Sequence, residues 1–330
     1  MPHSQKCFRR NPDKKDRQPG KKADKYGDER RTEITEAYGE IDIEDLIEKH
    51  ECVITLSHAG YIKRQPADAY SLQRRGGRGV KGLTRREEDV VTTMFTCSTH
   101  DYVMFFTTKG RAYRLKGYEI PEGSRQSKGM NIVNLLPIEE GERVSAMIRV
   151  PEFGEENYFL CMATRNGIIK RTELDLYKNI RKSGIIAINL DDDDELAWVK
   201  LTEGNDNLIV ATKKGMSISF NEQGARAIGR TARGVKAIEL KDGDEVIGMI
   251  CIEPDSKQDV LVLSENGYGK RTDLDEYRVT NRGGKGVKTI NITDKTGDLI
   301  AIQAVTDEND LMIINRSGVT IRTKVEQIRV

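Results

Sequence analysis

Six times along this chain an apolar strand end is followed by three polar or small residues, a glycine and a short stretch that usually ends in arginine. The copies read LSHAGYIKR, FTTKGRAYR, ATRNGIIKR, ATKKGMSIS, LSENGYGKR and INRSGVTIR, with glycines at Gly60, Gly110, Gly167, Gly215, Gly267 and Gly318. Self-similarity at a period near fifty residues means that each copy is one supersecondary unit, stable only when stacked on its neighbours. The flanks are rich in Val, Ile, Thr, Phe and Tyr, which suits strands, and NG, KG and SG supply the positive φ that a tight hairpin turn requires. Each copy is therefore predicted to be a β-hairpin.

A second motif recurs in phase with the first. It reads QRRGGRGVKGL, RQSKGMNIVNL, RKSGIIAINL, RTARGVKAIEL and NRGGKGVKTINI, with aligned glycines at Gly79, Gly129, Gly184, Gly234 and Gly286. Each copy leads into a strand, an acidic turn (REED, EEGE, DDDDE, KDGDE, KTGD) and another strand. Four strands per repeat, repeated radially, make an all-β, propeller-like domain. The expected architecture over 51–330 is six-bladed: five complete four-stranded blades and a truncated sixth, whose second motif would fall past Val330. The DDDDE run at Asp191–Glu195 sits where other repeats carry acidic turns, and is read as a turn rather than a metal site.

The N-terminal region differs. Residues 1–31 carry eleven Lys/Arg and five Asp/Glu and almost no apolar side chains. We expect a disordered basic leader over 1–21 and a linker over 22–50 with a short helical segment around Ile34, Ile41, Ile43, Leu46 and Ile47. No run of eighteen apolar residues is present, so no membrane helix is expected. Five cysteines (Cys7, Cys52, Cys97, Cys161, Cys251) without a CxxC pair suit a reducing, cytoplasmic setting and neither a disulfide framework nor zinc. His58 and His100 read as ordinary strand or loop residues.

The formal net charge of the chain is only +1. Its distribution matters more, because basic residues recur in both motifs and acids fall in the turns between. In the hairpins they include Lys63, Arg64, Lys109, Arg114, Lys170, Arg171, Lys270 and Arg271. In the second motifs they include Arg74, Arg75, Arg78, Arg125, Lys128, Arg181, Lys182, Arg230, Arg233, Arg282 and Lys285. Equivalent positions in a cyclic repeat lie at equivalent places, so phased basic residues form a belt suited to the phosphates of double-stranded DNA. The stretch Gln73, Arg74, Arg75, Gly76, Gly77, Arg78, Gly79 concentrates charge on flexible backbone, as close approach to phosphate or chain requires.

That stretch resembles the QRRGGKG box of the C-terminal DNA-wrapping domain of the bacterial DNA gyrase A protein, in the type IIA topoisomerase family, with Arg78 in place of lysine. KYGDERRTEI at 25–34 resembles the segment that enters this domain from the DNA-cleavage core, and the likeness extends over about 22–330. The resemblance implies a β-pinwheel, in which neighbouring blades exchange strands, and a rim that wraps duplex DNA so that the holoenzyme introduces negative supercoils with ATP. It further implies two partners, the gyrase B protein and the cleavage core of the gyrase A protein (an A2B2 assembly), with no cofactor in this chain and no catalysis by it alone. The catalytic tyrosine lies in an upstream domain, and ATP and Mg2+ are used elsewhere. The alternatives are the equivalent domain of topoisomerase IV and a propeller-type protein-interaction scaffold. A WD-repeat scaffold would need WD dipeptides, whereas the single tryptophan, Trp198, lies in AWVK.

Overall fold

A computed structural model describes residues 43–67, 89, 91–124, 127–150, 153–154, 157–314 and 320–328. The chain divides into two units, Met1–Leu46 and Ile47–Val330. Of the first, only a 3-10 turn at Ile43–Leu46 is described. No α-helix occurs among the described residues; of the short helical segment expected over 32–50, residues 32–42 lie outside them. The leader at 1–21 lies outside the described residues.

Five hairpins in the second unit close in one way. The N–H of Gly60, Gly110, Gly167, Gly215 and Gly267 donates to the carbonyl three residues earlier, at 2.9–3.2 Å. In each loop only the glycine has a positive φ, +75° at Gly110. This is a turn followed by one left-handed residue, not the two-residue type I′ turn, which needs positive φ at both central positions. Gly318 lies outside the described residues.

Each hairpin nucleates one blade. Blade one joins Glu51–Ser57 and Tyr61–Pro66 to Val91–Ser98; blade two joins Tyr102–Thr107 and Arg111–Lys116 to Val144–Val150. Blade three joins Phe159–Thr164 and Ile168–Glu173 to Leu196–Thr202; blade four joins Asn207–Thr212 and Met216–Asn221 to Val246–Ile252. The fourth strand comes from the following repeat. Met130–Asn131 completes blade one, Ile185–Ile186 blade two, Val235–Lys236 blade three and Val287–Lys288 blade four. All pairs are antiparallel.

The two sequence motifs are halves of this exchange joint. After each exchanged strand, a backbone N–H bonds to the hairpin-glycine carbonyl of the preceding blade: Ile132 to Gly60, Ala187 to Gly110, Ala237 to Gly167 and Thr289 to Gly215, at 2.8–2.9 Å. The second-motif glycine lets the incoming chain lie flat on the hairpin. At Gly234, with φ +107°, a Cβ would stand 2.7 Å from the Ile169 carbonyl oxygen.

This exchange corrects the blade count. The repeats predict five complete four-stranded blades; among the described residues there are four. Blade five has three strands, Asp259–Ser264, Gly269–Asp273 and Leu299–Val305, and the sixth repeat contributes a hairpin, Asp310–Ile314 with Thr320–Lys324. Each complete blade is closed by the next repeat's second motif, and among the described residues no such segment pairs with blade five.

The cores lie between blades. Alternate residues of one strand feed two of them: Val103 and Phe105 pack toward blade one, Met104 and Phe106 toward blade three. Leu208 and Val210 likewise face blade three, while Ile209 and Ala211 face blade five. Sandwiching on both faces explains why these strands are continuously apolar rather than alternating. Beyond blade five, the buried core members among the described residues are Leu261, Val305 and Val325. In every four-stranded blade the long strand forms one edge and the exchanged strand the other. The long strands of blades two to five touch one another in succession, which turns the exchanged segments outward.

Candidate nucleic-acid interface

The outer-edge segments carry the exposed cations. Lys128 precedes the strand docked on blade one and holds its Nζ 3.7 Å from the Tyr61 ring centroid. Arg181 and Lys182 precede the strand docked on blade two and are exposed. At blade three, Arg230 is half-buried, donating to the Ile186 carbonyl at 3.4 Å, and exposed Arg233 contacts Asp191. At blade four, half-buried Arg282 donates to the Gly224 and Lys236 carbonyls at 2.8 and 3.1 Å, and Lys285 and Lys288 are exposed. Backbone contacts of this kind fix an arginine's orientation while leaving donors of its five-donor fork for an anion.

The hairpin cations behave differently. Lys63 and Lys170 are buried, 3% and 0% exposed. The Lys63 Nζ donates to the Ser124 and Ser127 carbonyls at 3.2 and 3.0 Å. Burial pushes the Lys170 amine down to about 7. Tyr113, at the equivalent position of blade two, sends its hydroxyl to the Pro137 carbonyl at 3.1 Å. A long stem with a polar tip is thus used to satisfy carbonyls of the exchanged segments. Lys270, the blade-five counterpart, is exposed, because no exchanged segment covers it among the described residues.

The next position along each hairpin strand is also structural. Buried Arg171 lies over the Phe159 ring at 4.0 Å, its Nε 3.5 Å from the carboxylate of fully buried Glu222. Glu222 accepts from Thr202 Oγ1 and Asp206 N–H at 2.7 and 2.8 Å. Buried Arg271 pairs with Asp259 and Asp307 at 2.5 and 2.7 Å and donates to the Val325 carbonyl at 3.2 Å. Arg64 and Arg114 are half-buried and donate to the Ile120 and Lys178 carbonyls at 3.2 and 2.5 Å. Lys63, Lys170, Arg171 and Arg271, expected in the basic belt, are therefore used inside the fold.

Hairpin-tip cations meet the acidic turns. Lys109 pairs with Glu139 at 3.3 Å. Arg165 bridges Glu195 of its own repeat and Glu245 of the next, at 3.2 and 3.4 Å, and Lys213 bridges Glu245 and Asp298 at 3.2 and 3.9 Å. These pairs form both within a repeat and between neighbouring repeats, and of the second-motif cations Arg233 also reaches an acidic turn, at Asp191. The DDDDE run is a turn, with the Asp194 carboxylate accepting from the Asn166 and Glu195 N–H groups at 2.9 and 2.8 Å.

A family model described as DNA gyrase C-terminal domain, beta-propeller, matches residues 53–98, 101–151, 158–203, 206–253, 258–306 and 309–330, one stretch per repeat. The chain belongs to the DNA gyrase C-terminal domain family. It is 49% identical over 306 residues to the DNA gyrase A protein of Staphylococcus epidermidis (strain ATCC 12228 / FDA PCI 1200) and equally to that of Staphylococcus aureus (strain NCTC 8325 / PS 47). The match covers 92% of this chain and 34% of each relative, so the chain spans about a third of their length. Two solved structures are similar. One is the C-terminal domain of DNA topoisomerase IV, with TM-score 0.71, 27% identity and 86% of each chain covered. The other is the DNA gyrase A C-terminal domain, with TM-score 0.67, 25% identity, and 84% of this chain and 90% of that one covered.

In this gyrase-family domain, Gln73, Arg74, Arg75, Gly76, Gly77, Arg78, Gly79 and Arg125 lie outside the described residues. Two exposed arginines were missed by reading motifs alone. Arg226 and Arg278 lie between the hairpin and the second motif, where each chain runs parallel beside the preceding hairpin (Arg171 with Ala227, Ser219 with Val279). Arg278 and Arg282 line an open groove of about 930 Å³ beside Phe220 and Gln223. The signal was present as a basic residue eight positions ahead of the glycine in the fourth and fifth second motifs, but only strand exchange places it on the outer edge.

Proposed function

We propose that the Ile47–Val330 unit binds and wraps double-stranded DNA on the outer edges of its blades, as the C-terminal part of a gyrase A protein. The observation that carries this is the recurrence of exposed cations on four successive exchanged segments: Lys128, then Arg181 and Lys182, then Arg233 and Lys236, then Lys285 and Lys288. Evenly repeated phosphate contacts along a curved edge suit a bent duplex, whose deformation costs roughly 1–6 kcal/mol over 20–30 base pairs. The named relatives are gyrase A proteins, which supports placing this unit beside a cleavage core and the gyrase B protein in a cytoplasmic, ATP-dependent supercoiling enzyme. Strand cleavage and ATP hydrolysis belong, on this reading, to those other parts, and ATP and Mg2+ are not used by this chain.

Binding is then electrostatic and nearly indifferent to sequence. With roughly 6–10 phosphate contacts, affinity falls by about 10³–10⁵ between 50 and 200 mM salt. A flat salt response, or strong preference for one short site, contradicts the proposal. The structural likeness to the topoisomerase IV domain favours one second reading, DNA binding with little wrapping. Ligating relaxed circular DNA in the presence of the protein separates the two: wrapping shifts the linking number, simple binding does not.

A further inference from the structure

Cys52 and Cys97 face each other across blade one, directly paired in the register of Glu51–Ser57 with Val91–Ser98. Their sulfurs are 3.6 Å apart, and both residues are fully buried. Opposed residues on antiparallel strands have Cα separations of about 4.5–5.5 Å. A disulfide spans about 4.4–6.8 Å, so this bond can form by side-chain rotation without moving the strands.

The two thiols differ in character. The Cys52 thiol is shifted down, chiefly by its hydrogen bond with Cys97 and further by the charge of Arg64, while Cys97 is shifted up by the same bond and by burial. The Cys52 Sγ also donates to the Cys97 carbonyl at 3.3 Å, so both sulfurs are held together at the same point of the ladder. Cys161 offers a contrast. Its sulfur meets Thr202 Oγ1 at 3.6 Å and the Glu222 carboxylate at 3.7 Å, and burial pushes its thiol up to about 12.

Access follows from position. Cys52 is the second residue of its strand, and Cys97 the last but one of an edge strand. The pair sits at the end of the ladder, where opening of a few residues exposes it without unfolding the blade.

We propose that Cys52 and Cys97 form a modification site that a small hydroperoxide closes into a reversible cross-strand disulfide. The thiolate of one cysteine attacks one peroxide oxygen and the O–O bond breaks, giving a sulfenic acid and, after protonation, water. The sulfur of the other attacks the sulfenic sulfur, the S–S bond forms, and a second water leaves with the remaining proton. Two thiols and one hydrogen peroxide give one disulfide and two waters. The loop so closed runs from Cys52 to Cys97 and contains the QRRGGRG stretch at 73–79, whose two chain ends become covalently tied.

The test uses the whole reduced chain and hydrogen peroxide, read by intact mass, by alkylation under denaturing conditions and by peptide mapping. The expected result is loss of two hydrogens, loss of two alkylatable thiols, a linked peptide pair carrying Cys52 and Cys97, and full reversal by dithiothreitol. Cys161 and Cys251 stay alkylatable. In at least one of the Cys97→Ser and Cys52→Ser variants, a dimedone adduct accumulates on the cysteine that remains. The proposal is overturned if wild-type Cys52 and Cys97 both remain alkylatable while Cys7 oxidises, or if either reaches sulfinic acid without the linked peptide. Wild-type mapping alone decides the site if a serine variant fails to fold.

Discussion

The Lys170 amine nitrogen lies 2.6 Å from the Ala187 carbonyl oxygen and also contacts the Arg230 carbonyl. Ala187 follows the strand docked on blade two, and Arg230 leads into the strand docked on blade three. One buried lysine thus ties two exchanged segments together, in a sequence position that looks like part of a DNA-binding belt.

Lys170→Met keeps the stem and removes the donor. The Tyr177 hydroxyl still reaches the Ala187 carbonyl, at 3.3 Å, but the Arg230 carbonyl loses this donor. A buried group left unsatisfied costs roughly 1–3 kcal/mol. Chemical denaturation should show that loss, while DNA affinity of the folded variant stays at the wild-type value. Lys182→Ala should do the reverse, weakening DNA binding with stability within about 0.5 kcal/mol of wild type. A Lys170→Met protein of normal stability and poor DNA binding would return this residue to the belt.

The pH dependence has a marked contributor in Asp206. Burial raises its carboxyl from 3.8 to about 6, and the nearby carboxylates of Glu222, Glu253 and Glu203 push the same way. Between about pH 4 and 6 the folded chain therefore holds a proton that the unfolded chain has released, so this group's contribution to stability falls as pH rises through that window. Asp206→Asn should be more stable than wild type at pH 7 by roughly 1–3 kcal/mol, with the difference vanishing near pH 4. Denaturation midpoints across pH 4–8 check this; a constant difference contradicts it.

Much of this architecture was legible in the sequence, because hairpin glycines such as Gly110 and Gly215 impose a local geometry that no context overrides. The repeat period and all-β class follow from them. The repeats alone do not give the partner of each second motif; strand exchange between neighbouring blades enters only through the family resemblance. Gly234 belongs to the fourth repeat by sequence and to blade three by pairing, since an exchanged strand obeys long-range register rather than local propensity. The same ambiguity hides the roles of basic residues. Lys170 and Lys182 look alike as letters, and only burial between blades separates a donor to backbone carbonyls from one free to meet phosphate.

The sixth-repeat hairpin, Asp310–Ile314 with Thr320–Lys324, pairs with no third strand among the described residues. Arg271 holds the Val325 carbonyl that follows it. A two-stranded hairpin is marginal on its own. Amide hydrogen exchange should be fastest here and slowest in the central strands of blades two to four. Protection at Asp310–Ile314 equal to that at Tyr102–Thr107 would show that something further stabilises the hairpin.

The central claim is that wrapping belongs to the outer-edge cations and not to positive charge in general. Two variants of equal charge loss test it: Arg181→Ala, Lys182→Ala and Lys285→Ala combined, against Lys109→Ala, Arg165→Ala and Lys213→Ala combined. For each, the linking-number change is measured on ligating relaxed circular DNA, beside its affinity for a short linear duplex. The account predicts that the outer-edge variant loses most of the linking-number change while the hairpin-tip variant, whose cations already pair with Glu139, Glu195, Glu245 and Asp298, keeps it. Equal losses in both variants, or a full linking-number change from the outer-edge variant, would contradict it.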